Sequence, residues 1–491
     1  MAPRTPQRSE RPGEAGPLLD HPVGWLTLME PAWIPSLAVL LGGVLLHSMN
    51  VLLLATVLPS IVIELGGAAL ISWPTIGYLA SSIVAATCVG LLTAMIGARR
   101  VFAIGALIFG AGALVCAFAT AMSHVIAGRF VQGFGGGLLS AVAYVLVRNV
   151  FPESAWARVF ALLSGVWSVS ILVGPLVGGM FARFGNWRGA FFTVATIAGL
   201  LLIGSVRALP RTQPAGRGKR PGVPVGRIGL IWVAIAAVSV ASILDAPARK
   251  GVLIVLALVA LVVALRLDRK AAAHLLPGDA FSLRSATGVG LWSVLLISVA
   301  FTPLNIFIPI FLRTLHGFDP LAAGYTVAGA SMAWTIAAVA VAGLSPEWSA
   351  RMIVAGPLVL GLGLLGIALG MPAGPIGVVF LAIVLVGLGI GACWAFLAQR
   401  VMKGARAGDE DVAASSVATV QQTGYALGAA VAGLVANASG FSTVVDAGGV
   451  GRAAFWVPVS FSFAALAAGV VGIRLRTLSA LVVPAAPAAT G

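Results

Sequence analysis

Apolar runs of about twenty residues, parted by short charged or Pro/Gly-rich stretches, recur from residue 34 to residue 473, and they leave lipid as the only plausible solvent for this chain. The hydrocarbon core of a bilayer is about 30 Å thick and a helix rises about 1.5 Å per residue, so each such run is one crossing. Of the 491 residues, 59% are hydrophobic and 9% charged, a balance that excludes a water-soluble globular protein of this size.

The runs fall into groups of six, two and six. The first group covers 34–58, 71–93, 101–121, 124–148, 157–181 and 189–208. Pro210, Pro214, Pro221 and Pro224 then stand among basic residues, which predicts a solvated linker rather than a crossing. Two shorter runs follow at 228–246 and 250–267, and the last group covers 286–313, 321–344, 351–371, 376–397, 412–437 and 453–473. Prolines at Pro303 and Pro309 are expected to kink or end helices. The expected fold is therefore an all-α integral membrane protein of two six-helix bundles with two extra central helices. Its predicted division is an N-terminal cytoplasmic tail at 1–33, a bundle at 34–208, a basic Pro-rich linker at 209–227, the extra pair and a following loop at 228–285, a second bundle at 286–473 and a C-terminal tail at 474–491. The first 24 residues are polar and lack the short apolar region of a secretory signal.

Charge placement orients the plan. With the N-terminus inside, Arg183, Arg188, Arg249, Lys250, Arg313 and Arg452 fall outside, Arg129 lies within a run, and every other Lys and Arg falls inside. Both termini are thus predicted to be cytoplasmic in a multi-pass protein of the cell inner, or plasma, membrane. Two extra crossings restore the side, so this bias requires an even number without choosing fourteen over twelve. A net charge of +15 would suggest nucleic acid in a soluble protein. Here it is dispersed over alternate loops with no basic helical stripe, which argues against that partner. Cys88, Cys116 and Cys393 are widely separated inside apolar runs and suggest neither metal cluster nor disulfide, and no cofactor is expected.

Three stretches carry more specific information. Gly90 to Arg100 joins the second and third runs, with Gly90 and Gly97 permitting a tight turn and Arg99 and Arg100 facing the cytoplasm. Arg129 sits six residues into a run and precedes Gln132, Gly133, Gly135, Gly136 and Gly137. A guanidinium at membrane depth costs about 2.5–3.5 kcal/mol on insertion scales, so it should face the bundle interior or a watery space. The glycines lie at phosphate-loop-like spacing, but no strand precedes them, and close helix packing is the better account. In the fifth run, Gly165, Gly174, Pro175, Gly178 and Gly179 combine small-residue spacing with a helix-bending proline.

These stretches resemble the loop, fourth-helix and fifth-helix motifs of the major facilitator superfamily, and the similarity to its fourteen-helix drug:proton antiporter branch extends over residues 34–473. The resemblance implies alternating access, a charge-relay latch at the loop, an arginine linked to proton transfer and an exporter's fifth-helix motif. The loop departs from the pattern: the family's acidic position is Ala94 and its next basic position is Met95. The branch carries an aspartate in the first helix where this chain has Asn50.

Proton-coupled export needs a group that titrates within the membrane. None of the 15 Asp and Glu falls near the middle of a run, whereas His47 does and shares a helix face with Asn50. Two readings follow. His47 replaces the missing carboxylate as proton carrier, with Asn50 and Arg129 on the same polar path, or it is a lone polar residue satisfied by a neighbouring carbonyl. Further residues expected along a substrate and proton pathway are Gln132, Tyr144, Trp167, Asn305, Gln421, Gln422 and Tyr425, polar or aromatic at depth. Secondary active export of small, drug-like amphiphilic compounds in exchange for protons, by a monomer in the lipid bilayer, is the leading expectation. A facilitator or organic-anion exchanger without proton coupling is the alternative, and a non-transporting scaffold is a third. No catalytic set of residues supports an enzyme.

Overall fold

A computed structural model describes residues 24–67, 70–71, 73–211, 224–243, 247–271, 274–441 and 447–480. The tails expected at 1–33 and 474–491 lie partly outside this range, as does most of the expected linker, at 212–223. Every regular element among the described residues is helical. After one turn, α1 (Trp25–Leu28), the chain forms α2 (Ile34–Leu65), α3 (Trp73–Ile96), α4 (Ala98–Ala117), α5 (Met122–Val150), α6 (Trp156–Arg183) and α7 (Trp187–Ala208). Next come α8 (Val225–Ile243) and α9 (Pro247–Arg269), then α10 (Ala286–Ile306), α11 (Ile308–His316), α12 (Pro320–Val341), α13 (Pro346–Gly370), α14 (Ile376–Lys403), α15 (Glu410–Ala438) and α16 (Ala447–Ala480).

By length and composition, 12 of the described helical segments can cross a bilayer, α10 and α11 counting as one. Outside that count stand α8 and α15, the latter with the polar run Gln421-Gln-Thr423 at its middle. Helix ends follow local chemistry. Asn186 caps α7 by accepting from the Gly189 N–H at 3.1 Å, and Ser285 caps α10 through the Gly288 N–H at 3.1 Å. Pro303 lies inside α10, which ends three residues later, and Pro309 opens α11, where a missing N–H leaves no helical bond unmade.

Helices α2 to α7 pack on one another, and so do α10 to α16. Within each half a close joint is built from glycine. A Cβ on Gly133 or Gly137 of α5 would overlap the carbonyl oxygens of Tyr78 and Ser82 on α3, and one on Gly135 would overlap Phe109 of α4. The second half repeats the joint: Gly387 and Gly391 of α14 seat on the carbonyls of Ala330 and Trp334 in α12, and Gly389 seats on Leu360 of α13. Small residues let helix backbones approach where the surrounding lipid supplies no hydrophobic drive. The two halves meet along α3 with α15, α5 with α15, and α6 with α12 and α14. The pair α8 and α9 pack together, with α8 resting on α3 and α15.

Candidate functional site

A polar cluster sits inside the first half, sealed among apolar side chains. His47 and Asn50 of α2, Arg129 and Gln132 of α5, and Tyr78 of α3 are each buried to within 4% of complete coverage. His47 Nδ1 lies 2.8 Å from the Tyr78 hydroxyl, and the two rings stack at 5.7 Å. The Arg129 guanidinium lies 4.2 Å above the Tyr78 ring centre and donates to Gln132 Oε1 at 2.7 Å. Gln132 in turn donates to Asn50 Oδ1 at 3.3 Å, and Asn50 Nδ2 is buried with no hydrogen-bond partner among the described residues. Arg129 Nε donates to the Pro74 carbonyl at 3.4 Å. Among the described residues no carboxylate forms an ion pair with Arg129. A π-face and amide oxygens therefore carry its solvation within the fold.

Trp167 of α6 meets the His47 ring edge-on at 6.3 Å and is 36% exposed, so it stands between the cluster and open space. The second half holds a connected run of aromatic side chains. Tyr425 of α15 approaches Phe301 of α10 at 6.5 Å, Phe301 meets Trp334 of α12 at 5.4 Å, and Trp334 meets Trp394 of α14 at 5.9 Å. Gln421 donates to the Tyr425 hydroxyl at 3.2 Å. Tyr144 of α5 is half-buried against Phe160. Asn305, near the end of α10, is exposed and joins none of these groups. Gln422 of α15 connects the halves: it accepts from Ser82 of α3 at 2.9 Å and donates to Ser140 of α5 at 3.2 Å.

Other bonds between the halves lie toward the same end of the bundle. Ser168 of α6 donates to the Ser331 carbonyl at 2.6 Å and lies 2.6 Å from the Thr335 hydroxyl, while Thr335 donates to the Ser164 carbonyl at 3.2 Å. At the extremity, Arg148 of α5 pairs with Asp411 at 3.1 Å and Glu410 at 3.9 Å, and Lys403 pairs with Glu153 at 2.7 Å. Gly90 of α3 lets Val412 and Ser415 of α15 approach so closely that a Cβ would lie 2.7 Å from the Val412 Cα.

The remaining motif residues sit around these joints. Gly97, with φ +84°, opens α4 in a backbone conformation that favours glycine, and Arg99 donates to the carbonyls of Val206 and Leu209 at the end of α7. Arg100 is exposed. In α6, Gly165 lies against Thr335, Gly178 seats on Leu53 and Thr56 of α2, Gly174 is buried, and a Cβ on Gly179 would meet nothing. The Pro175 side chain lies outside the described residues. Sequence reasoning passed over Tyr78, Ser82, Ser140, Trp334 and Phe301 as site residues. The repeated Gly-x-Gly-x-Gly spacing at 133–137 and 387–391 was the available signal, because helices that glycines hold closest also bring their neighbours' side chains together.

Two helical halves closing over a polar cluster in an apolar bundle are the build of a multi-pass membrane transporter. The profile of the Major Facilitator Superfamily matches residues 40–429, and the chain belongs to that family. A probable multidrug-efflux transporter of Mycobacterium tuberculosis is 34% identical over 439 residues, covering 87% of this chain and 92% of the relative. A multidrug transporter of Bacillus subtilis is 24% identical over 410 residues, covering 80% and 73%. Among solved structures, a human organic anion transporter matches with a TM-score of 0.65 at 17% identity over 90% of this chain and 99% of that one. A proton:xylose symporter matches at 0.59 and 14% identity over 92% and 96%. These two likenesses speak for the fold. The protein is a transporter of small molecules and not an enzyme.

Proposed function

We propose that the protein exports small amphiphilic organic compounds by alternating access, through fourteen crossings, in exchange for protons carried at His47. The observation that carries this reading is the division of chemistry between the halves: the His47, Asn50, Gln132 and Arg129 cluster in the first, and the Phe301, Trp334 and Tyr425 aromatics in the second. A compound with an apolar body and one polar group matches that division. The efflux relatives support the direction and the class of substrate. Packing of α8 along α9, and of α15 along α3, α5 and α10, supports crossings for these two helices beyond the twelve. The positive-inside bias supports a cytoplasmic location for the Arg148 end and both termini, and on that reading the bonded state is the one open outward.

The test is transport in reconstituted vesicles under an imposed pH gradient. Wild type should expel an amphiphilic dye with counterflow of protons, and His47→Ala should still bind dye while losing the response to the gradient. An unchanged response in His47→Ala would remove His47 from the coupling. A second reading, a facilitator without proton coupling, is favoured by one observation: among the described residues no carboxylate joins the cluster. It predicts dye movement with no proton flux in wild type.

A further inference from the structure

Three glycines of the run in α5 hold helix backbones together, and Gly136 does something else. A Cβ on Gly133, Gly135 or Gly137 would meet backbone atoms of α3 or α4. On Gly136 it would lie 2.5 Å from the Tyr78 hydroxyl and 2.7 Å from His47 Nδ1, the two atoms that stand 2.8 Å apart in a hydrogen bond. The methyl group that Gly136 lacks therefore leaves room for one bond between two side-chain ends.

That bond has a defined polarity. The Tyr78 hydroxyl carries a single hydrogen, and it lies 3.3 Å from the His47 carbonyl as well as 2.8 Å from Nδ1. Both contacts are hydrogen bonds only when the hydroxyl donates to the carbonyl and accepts from an Nδ1–H. A hydrogen on Nδ1 leaves the lone pair of the neutral imidazole on Nε2, and among the described residues Nε2 makes no hydrogen bond. The ring face of the same tyrosine carries Arg129 at 4.2 Å. One buried side chain thus touches both the imidazole and the cation. Arg129 from α5 is the charged group that bears on His47, Tyr78 from α3 is its titratable contact, and Trp167 from α6 does not titrate.

We propose that Tyr78 is a positioning residue of the transport cycle: in the room left by Gly136, its hydroxyl fixes the Nδ1–H tautomer of His47 and so makes Nε2 the nitrogen that takes up and releases the coupling proton. The inference rests on the reading of His47 as proton carrier. The proton balance closes on His47. A proton from water on one side adds to the Nε2 lone pair, giving an imidazolium whose Nδ1–H still donates to Tyr78, and Nε2 returns that proton to water on the other side after access has switched. Tyr78 keeps its own hydrogen throughout.

Nitrogen NMR of the purified, histidine-labelled protein reads the tautomer, the His47 signals being identified by their absence from His47→Ala. Vesicle transport of an amphiphilic dye, with and without an imposed pH gradient, reads its consequence. Wild type, at a pH where His47 is neutral, should carry the hydrogen on Nδ1. Tyr78→Phe removes only the hydroxyl, and Gly136→Ala drives the two side-chain ends apart with both residues intact; each should lose the Nδ1–H form and the response to the gradient. Tyr78→Leu, which also removes the ring beneath Arg129, should export less dye than Tyr78→Phe. A bare Nδ1 in wild type, or an Nδ1–H form that persists in Tyr78→Phe, overturns the proposal. So does a full gradient response in Tyr78→Phe where His47→Ala has lost it. A full response in His47→Ala strikes the proton-carrier reading itself, and the positioning role falls with it. Should Gly136→Ala fail to fold, Tyr78→Phe, which lacks only the hydroxyl, still decides.

Discussion

Replacing Gln422 by alanine should shift the protein away from the state in which the Arg148 end is closed. Gln422 makes two bonds across the halves, 2.9 Å from Ser82 and 3.2 Å to Ser140. Interhelical hydrogen bonds within membrane proteins average about 0.6 kcal/mol and a typical buried neutral bond about 1 kcal/mol, so the pair contributes roughly 1–2 kcal/mol. The Ser82 hydroxyl is fully buried, and truncation strands it, whereas Ser140 keeps a bond to the Gly137 carbonyl at 3.2 Å. Both bonds cross between the halves, so their loss falls on the closed state alone and should move the equilibrium about five- to thirtyfold. Spin labels at the exposed positions Ser154 and Ala407, one on each half at that end, would read the shift as growth of a longer distance in pulsed dipolar spectra. A Gln422→Ala distribution identical to wild type would refute the assignment of Gln422 as a tie between the halves.

Gly137→Ala and Gly387→Ala should each lower thermal stability by about 1–3 kcal/mol or more, because the new Cβ meets a backbone carbonyl that cannot rotate away. Gly199→Ala, with no neighbour in reach, should melt as wild type does. Arg129→Met should abolish export while leaving the melting profile close to wild type, and Arg129→Lys should recover little, since an ammonium cannot both cover the Tyr78 ring and bind Gln132 as the guanidinium does. At the opposite end, hydrogen bonds from Arg188 and then Trp187 hold the Glu64 carboxyl below its ordinary 4.5. A depressed acid stabilises the fold above its unfolded value, and that contribution fades as pH falls through the folded one. Acid should therefore lower the melting temperature more in wild type than in Glu64→Gln.

Polar residues in apolar runs were individually legible, but their partnerships were not. His47 and Asn50 share a face of α2 by spacing alone, and Arg129 announces an interior position by its desolvation cost. That Arg129 rests on Tyr78 needed the glycine joint between α3 and α5, which depends on contacts between residues more than 50 positions apart. Gln421 and Gln422 looked equivalent in sequence. The rotation of α15 against α3 separated them: Gln422 crosses to the other half, and Gln421 turns back to Tyr425. The Ala94 departure in the loop motif removed a familiar acid, and nothing in the linear order pointed to the pairs that Arg148 and Lys403 form with distant carboxylates.

Composition and the length of the apolar runs, acting through a bilayer of fixed thickness, by themselves determined that this chain is a helical membrane protein, and its local glycine and proline motifs determined its family. Tertiary structure alone decided which polar groups find one another and which end of the bundle is shut. Those outcomes depend on the rotation and depth at which helices pack, quantities that a pattern repeating every few residues along one helix does not encode.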